Sequence, residues 1–339
     1  MKEALRRILP NKAFMMLKSI KSLKKVPKLI SNYNYDLIRL LKYSSLLNDD
    51  SQLKLEAQIS KNYHVLEKGL SMPQPRKGFG QDKVKNLLEL LYRYNNSGYS
   101  MDRSQIKSSI IVLEEYFSFH KDYLDENIDK MRLKASDIFN YKSKDIHVSG
   151  GKFIKFKRDL LSDSKGDFKA LANSRYSIRN FTNEPVKIEK VLEAINIAQK
   201  TPSVCNRQSA RIYIVKDKES VNKVLALQNG NRGFGHLIDS LLIVTSDLSA
   251  FIGTDERNQA YIDGGMYAMS LLYALHYEGL GACPLNWSVL KDKDKKLRNT
   301  IEIGESENII MIIGMGNLPE EIDVAISCRK SVEEVTKII

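Results

Sequence analysis

The sequence predicts an α+β chain whose first half is all helical. From Asn32 to Lys142 the apolar residues keep helical spacing almost without interruption. Beyond that point Leu241–Val244 and Ile309–Ile313 have the length and content of buried strands. Between them, Ile262–Tyr277 is apolar nearly all round, as expected of a helix buried at a domain centre or in a subunit interface.

At 339 residues the chain is long enough for two domains with a core each. Domains are expected at 1–150 (helical), with a linker at 151–166 and an α+β domain at 167–339. The formal charge of +12 favours an acidic partner but names none, because basic chains bind phosphorylated metabolites, anionic lipid and nucleic acid alike. Cys205, Cys283 and Cys328 are odd in number and widely spaced, which argues against a disulfide framework and a zinc site and favours a reducing cytoplasm. No run approaches the roughly 20 apolar residues that span a bilayer. No nucleic-acid motif accompanies the charge, so none is expected as a partner.

In chain order, the first segment concentrates Lys and Arg between apolar residues at near-helical spacing. Residues 1–30 therefore read either as an arm packed on its own domain or as a peripheral contact with an anionic membrane surface. The helical patterns that follow use Leu37, Leu40 and Leu41, then Val84, Leu87, Leu88 and Leu91, then Ile106, Ile110, Leu113 and Phe117. Two loops interrupt them, Ser71–Gly80 and Asn95–Gly98, where Pro and Gly end any helix. Before the first loop, His64, Glu67 and Lys68 share one helical face. One reading makes this a lid that offers Lys68, Arg76 and Lys77 to an anionic substrate and His64 as a proton donor. The other is a helix end with Gly69 as its C-cap and Lys68 set against the dipole. His64-x-x-Glu67 lacks the second histidine of a zincin helix, so no metal is expected.

The stretch Asn173–Val215 carries the chemistry. Arg175 and Arg179 stand four apart around Ser177, two guanidinium forks and a hydroxyl in one turn, a donor set suited to a terminal phosphate. Ile188, Val191, Leu192, Ile195 and Ala198 predict a helix over 186–200, stopped by Pro202. Pro202-Ser203 and Asn206-x-Gln208 then give a rigid turn and two amides able to meet the edge of a flat polar ring. Gly230–His236 is glycine-rich but matches neither the dinucleotide fingerprint nor the P-loop, so it reads as a flexible loop or as low-level substrate contacts through Arg232 and His236.

The order of these pieces closely resembles the nitroreductase superfamily of FMN-dependent oxidoreductases, with its Arg-x-Ser-x-Arg-x-Phe opening and Pro-Ser-x-x-Asn-x-Gln turn. Asp263-Gly-Gly265, Gly279-Leu280-Gly281-Ala282-Cys283, Ile313-Gly314-Met315-Gly316 and Arg329–Val335 look like its later blocks. The resemblance covers roughly residues 167 to 339. It implies a nitroreductase-like mixed or antiparallel central sheet flanked by helices, and a homodimer with FMN at the interface. Arg175, Tyr176, Ser177, Arg179 and Arg329 would lie at the FMN phosphate and ribityl chain, Asn206 and Gln208 at the ring edge, and Pro202, Ser203, Pro284, Leu285 and Asn286 along the ring. Pro284 and Trp287 are larger than the small residues of that block in the family. NAD(P)H as co-substrate, and a side-chain nucleophile's absence from the chemistry, follow from the same resemblance. The fold does not name the electron acceptor. A helical half bearing His-x-x-Glu-Lys-Gly-Leu joined to such a half also resembles proteins associated with bacterial surface-polysaccharide synthesis, which makes a phosphorylated or nucleotide-linked sugar one candidate substrate. A flavin-binding, membrane-docked scaffold without turnover is the alternative from another functional class.

Overall fold

The computed structural model describes residues 26–43, 47, 51–141, 150–251 and 255–339. The basic segment 1–25, most of the stretch read as a membrane or packing arm, lies outside the described residues. The first half is built from α1 (Val26–Tyr43), α2 (Gln52–Leu70), α3 (Gln81–Asn96), α4 (Ser104–Phe119), α5 (Glu126–Lys134) and the short α6 (Ser136–Phe139). Spacings of three and four bring Leu55, Ile59, Tyr63, Leu66 and Leu70 onto one face of α2, where they meet Val84, Leu87 and Leu91 of α3 and Ile106, Ile110 and Leu113 of α4. Among the described residues no helix is long and apolar enough to cross a membrane.

The second half follows as β1 (Lys152–Phe156), α7 (Lys157–Ser164), α8 (Phe168–Ser174), α9 (Ile188–Ala198), β2 (Ala210–Val215), α10 (Lys218–Leu227), β3 (Ser240–Asp247), α11 (Gln259–Tyr277), β4 (Leu280–Asn286), α12 (Lys291–Ile301), β5 (Glu307–Asn317), β6 (Glu321–Ala325) and α13 (Val332–Val335). The main sheet is antiparallel throughout, in the order β2-β3-β5-β4. Helices cover both of its faces, so β3 is apolar on both sides. Leu242 and Val244 pack with α9 and α11, while Leu241 and Ile243 pack with α10 and α12.

One expectation is corrected here. The stretch 151–166, read as a linker from its small polar residues, holds β1, which pairs antiparallel with β6, and α7. The alternation through Phe153 and Ile154 outweighs the glycines and serines that flank it. The helix ending at Tyr277 has one face against the core of its own chain and one face free of it. The sheet and α9 cover one face, and Tyr261, Ile262, Met266 and Tyr277 stay exposed on the other.

One packing element fixes the loop after α8. Phe181 lies over Gly281 of β4 and Gly316 of β5, which face each other in the ladder. A Cβ on Gly316 would sit 2.8 Å from the Phe181 ring, and one on Gly281 would sit 3.1 Å from it. Ile178 N–H donates to the Ala282 carbonyl (3.0 Å) and Thr182 N–H to that of Asn317 (3.0 Å), so the loop is tied down on either side of the ring. Gly316→Ala is therefore expected to cost about 1–3 kcal/mol by overpacking. In urea titrations, Phe181→Leu should recover part of that loss when combined with it, giving a non-additive cycle.

Candidate functional site

The tied-down loop carries Arg175 and Arg179 across the edge strand β4. Arg179 is only 9% exposed, donates to the Ser177 carbonyl, and hydrogen-bonds the buried thiol of Cys283 on β4. Burial pushes that thiol up, against the opposing pull of Arg179, Lys68 and Arg175. Burial also lowers the Arg175 guanidinium from its usual value, and Arg329, 154 residues further along the chain, lowers it further. Two distant ends of the second half thus converge, together with Lys68 from the first. Burial lowers the Lys68 ammonium, and Arg179 and then Arg232 add to the effect. Among the described residues none of these five cations forms an ion pair. The available carboxylates serve other cations, such as Arg103, Arg207 and Lys330. Arg179 is buried and Arg175 and Lys68 are half-buried, while Arg329 and Arg232 are exposed, so desolvation bears mainly on the first three.

A neutral histidine adjoins the group. His276, near the end of α11, is buried, and its Nε2 lies 2.8 Å from Ser174 Oγ at the end of α8. Burial, with Arg175 beside it, holds its pKa down at about 4. It therefore adds no charge to the cluster at neutral pH. Because the unfolded chain binds the proton near the ordinary value, the stability this group contributes is complete above about pH 6.5 and is lost as the pH falls toward about 4, on the order of 3 kcal/mol. His276→Gln should flatten the acid limb of a thermal-unfolding profile over that window.

The C-terminal turn with Arg329 is held by the helical half. Glu67, fully buried on α2, accepts from Ser327 N–H (3.0 Å) and lies 3.4 Å from its hydroxyl. Gln105 of α4 donates to the Cys328 carbonyl (3.2 Å), and Ser104 Oγ donates to Glu334 (2.8 Å). Glu56, buried with Arg103 and Tyr94, lies 3.7 Å from Lys330. None of these positions except Glu67 stood out in the sequence, because a carboxylate or amide that fastens a remote turn has no local signature.

The second polar loop is separate. Val204–Asn206 form a tight turn in which Cys205, Asn206 and Gln208 all take left-handed backbone, a strained set for side chains with a Cβ. Asp263, buried at the start of α11, accepts from Val204 N–H (3.1 Å). Arg207 pairs with Glu256 and donates to the Ala250 carbonyl (2.8 Å), and Gln208 N–H donates to Ser203 Oγ (2.9 Å). Pro202, Asn206 and Gln208 are exposed, and a small cleft between this turn and α11 is lined by Pro202, Ser203, Gln208, Asp263 and Tyr267. Among the described residues no contact joins this turn to the five cations.

Several other expected site residues point elsewhere. Tyr176 stacks edge-on to Phe153, 5.4 Å between centroids, and belongs to the core around β1. Leu285 is buried in the core, so only its backbone faces the edge of β4. Pro284 is half-buried, and the Asn286 carbonyl accepts from Gln228 (3.0 Å). His64 is largely exposed, with Nδ1 3.3 Å from Glu67, so it supports that carboxylate rather than reaching the cations. Arg76 and Lys77 are exposed on a loop packed against the helical half, where Lys77 caps the Phe119 ring at 4.0 Å. His236 is exposed, and its carbonyl accepts from Lys218 (3.3 Å). Gly69 is not the helix cap. Ser71 takes that role, donating to the Glu67 carbonyl, and the Phe79 ring leaves no room for a Cβ at 69.

The loop thus brings Arg179, buried, and Arg175, half-buried, beside Cys283 of β4, a donor set suited to an oxyanion. The model of the Nitroreductase family matches residues 172–231, from the end of α8 through both polar loops. Over that stretch the second half of the chain resembles the Nitroreductase family. Solved structures similar to it include a Staphylococcus epidermidis protein provisionally named an NAD(P)H:FMN oxidoreductase, at 20% identity over 51% of this chain and 96% of that one, TM-score 0.46. Others are a Desulfovibrio desulfuricans protein provisionally named a nitroreductase and solved with FMN (18%, 50% and 95%, 0.42) and an FMN-dependent nitroreductase from Clostridium difficile (20%, 44% and 87%, 0.39).

Proposed function

We propose that the chain is an FMN-dependent NAD(P)H oxidoreductase acting on a small organic substrate. The observation that carries this reading is that Arg175 and Arg179 lie together at Cys283 of β4, with Arg329 close enough to lower the Arg175 guanidinium, and that none of the three has a carboxylate partner among the described residues. That donor set fits a terminal phosphate, since each guanidinium presents a planar fork of donors, Arg179 from a buried position, Arg175 from a half-buried one and Arg329 from an exposed one. Bound FMN would supply the redox chemistry, taking a hydride from NAD(P)H and handing electrons to a second substrate. The chain's own residues then bind and orient. Arg179 is fixed by Ser177 and Cys283, Arg175 is backed by neutral His276, and Arg329 is held through Ser327 by Glu67. Arg175→Ala and Arg329→Ala should each weaken FMN binding roughly ten- to a hundred-fold in flavin fluorescence titrations, the loss of one charge-assisted pair. Unchanged affinity in both would remove the phosphate assignment.

The polar turn at 202–208 is part of the same proposal, but through a second copy of the chain. Its exposed amides and strained backbone are held ready by Asp263 and Arg207, away from the cations of the same chain. Beside it the exposed face of α11 carries Tyr261, Ile262 and Met266, and the C-terminal segment exposes Val332, Val335 and Ile338. Covering these surfaces in a homodimer would bring the turn of one protomer toward the cations of the other. Light scattering is expected to give a dimer at micromolar concentration, and a folded, FMN-loaded monomer would rule the arrangement out.

A further inference from the structure

The last turn of α2 touches both segments that border the candidate site. Glu67 holds the Ser327 turn, and the next residue, Lys68, reaches the loop that follows α10, donating to the Gly230 carbonyl. Its ammonium also lies 5.4 Å from the centroid of the buried Phe234 ring. Met72, just past the helix, is buried in the core of the second half with its sulfur 3.2 Å from where a Gly233 Cβ would sit. Ser71 Oγ donates to the Lys68 carbonyl (3.0 Å) and closes the helix end. This end is therefore fixed against both segments that border the candidate site.

Lys68 is half-buried, uses one of its three donors on Gly230, and has no carboxylate partner among the described residues. Arg232 stands two residues beyond that carbonyl, exposed on the same loop. Charge balance decides what these two cations are for. A phosphate monoester carries at most two negative charges, and Arg175, Arg179 and Arg329 already exceed that. Lys68 and Arg232 are left over, on the side of the cluster that faces the 230–236 loop.

Resting on the flavin reading above, we propose that Lys68, assisted by Arg232, binds a second oxyanion, the carboxylate or phosphate of an acidic substrate. The helical half is thus a working part of the site, and it selects acidic electron acceptors over neutral ones of the same shape. The same chemistry would also serve the flavin phosphate itself, and the test separates the two sources.

The full-length, FMN-loaded protein is assayed with NADH and either 4-nitrobenzoate or 4-nitrobenzamide, and the ratio of the two kcat/KM values is compared across variants. Lys68→Met is expected to lower the acid-to-amide ratio about tenfold or more, and Lys68→Arg to restore most of it, while the FMN Kd moves less than about threefold. An unchanged ratio overturns the proposal. So does an FMN Kd that rises tenfold with no change in the ratio, which assigns Lys68 to the flavin phosphate. If the protein binds no FMN, the flavin reading fails independently, and calorimetric binding of 4-nitrobenzoate to wild type and Lys68→Met then decides. A Kd about tenfold weaker in the variant keeps the oxyanion subsite, and equal or absent binding removes it.

Discussion

The seating of Phe181 on the Gly281–Gly316 pair is the contact on which the site depends. Two glycines facing each other in adjacent strands leave a flat patch on the sheet, and a phenyl ring fills it with no side chain in between. The backbone hydrogen bonds from Ile178 and Thr182 then fix the loop's height and direction over β4. Only with the loop fixed there do Arg175 and Arg179 meet Cys283 and the turn at Arg329. The Arg-x-Ser-x-Arg-x-Phe pattern and the two downstream Gly-x-Gly-like blocks are therefore one feature seen from both sides. The phenylalanine is the anchor, the glycines are its socket, and the arginines are what the anchored loop presents.

Holding several guanidinium groups and an ammonium together costs desolvation and mutual repulsion, and the fold limits that cost locally. His276 is kept neutral, so the nearest titratable group adds nothing at physiological pH. Carbonyls of Ser177, Ser327 and Gly230 accept from Arg179, Arg329 and Lys68. The buried Glu67 sits one residue from Lys68, spends its oxygens on Ser327 and His64, and leaves the ammonium free to face the cluster. On the proposed reading, a bound oxyanion would relieve the repulsion that remains.

Much of this was legible in the sequence, and the limits have physical causes. Periodic leucines in 52–117 and the apolar runs of β3 and β5 announced helices and buried strands, because local spacing determines which face is apolar. The paired forks at Arg175 and Arg179, and the return of Arg329, were legible through block order. The reach of Lys68 to Gly230 was not, since it spans 162 positions and depends on how two separately folded layers dock. The strand at 152–156 was masked by flanking glycines and serines, and its partner β6 lies at the other end of the chain. His64, Arg76 and Lys77 drew attention as charges on one stretch, yet α2 and its loop turn them toward Glu67, solvent and Phe119.

The strained turn at 203–208 completes the argument. Left-handed conformations at Cys205, Asn206 and Gln208, three of four successive residues, each cost something that a glycine would not. The surroundings over-determine the turn: a buried aspartate takes the Val204 N–H, a salt bridge pins Arg207, and Ser203 closes the ring of hydrogen bonds on Gln208. Such strain persists where it aims groups that a relaxed turn would misdirect, and here it aims two amides outward from the protomer. Arg175 and Arg179, by contrast, are held on the loop that the phenylalanine anchors, with Lys68 reaching toward them from the helical half. Under the proposed arrangement, a ligand long enough to use both ends would be matched by an assembly in which one chain supplies the charge and another the amides, with the helical half acting on the charged end.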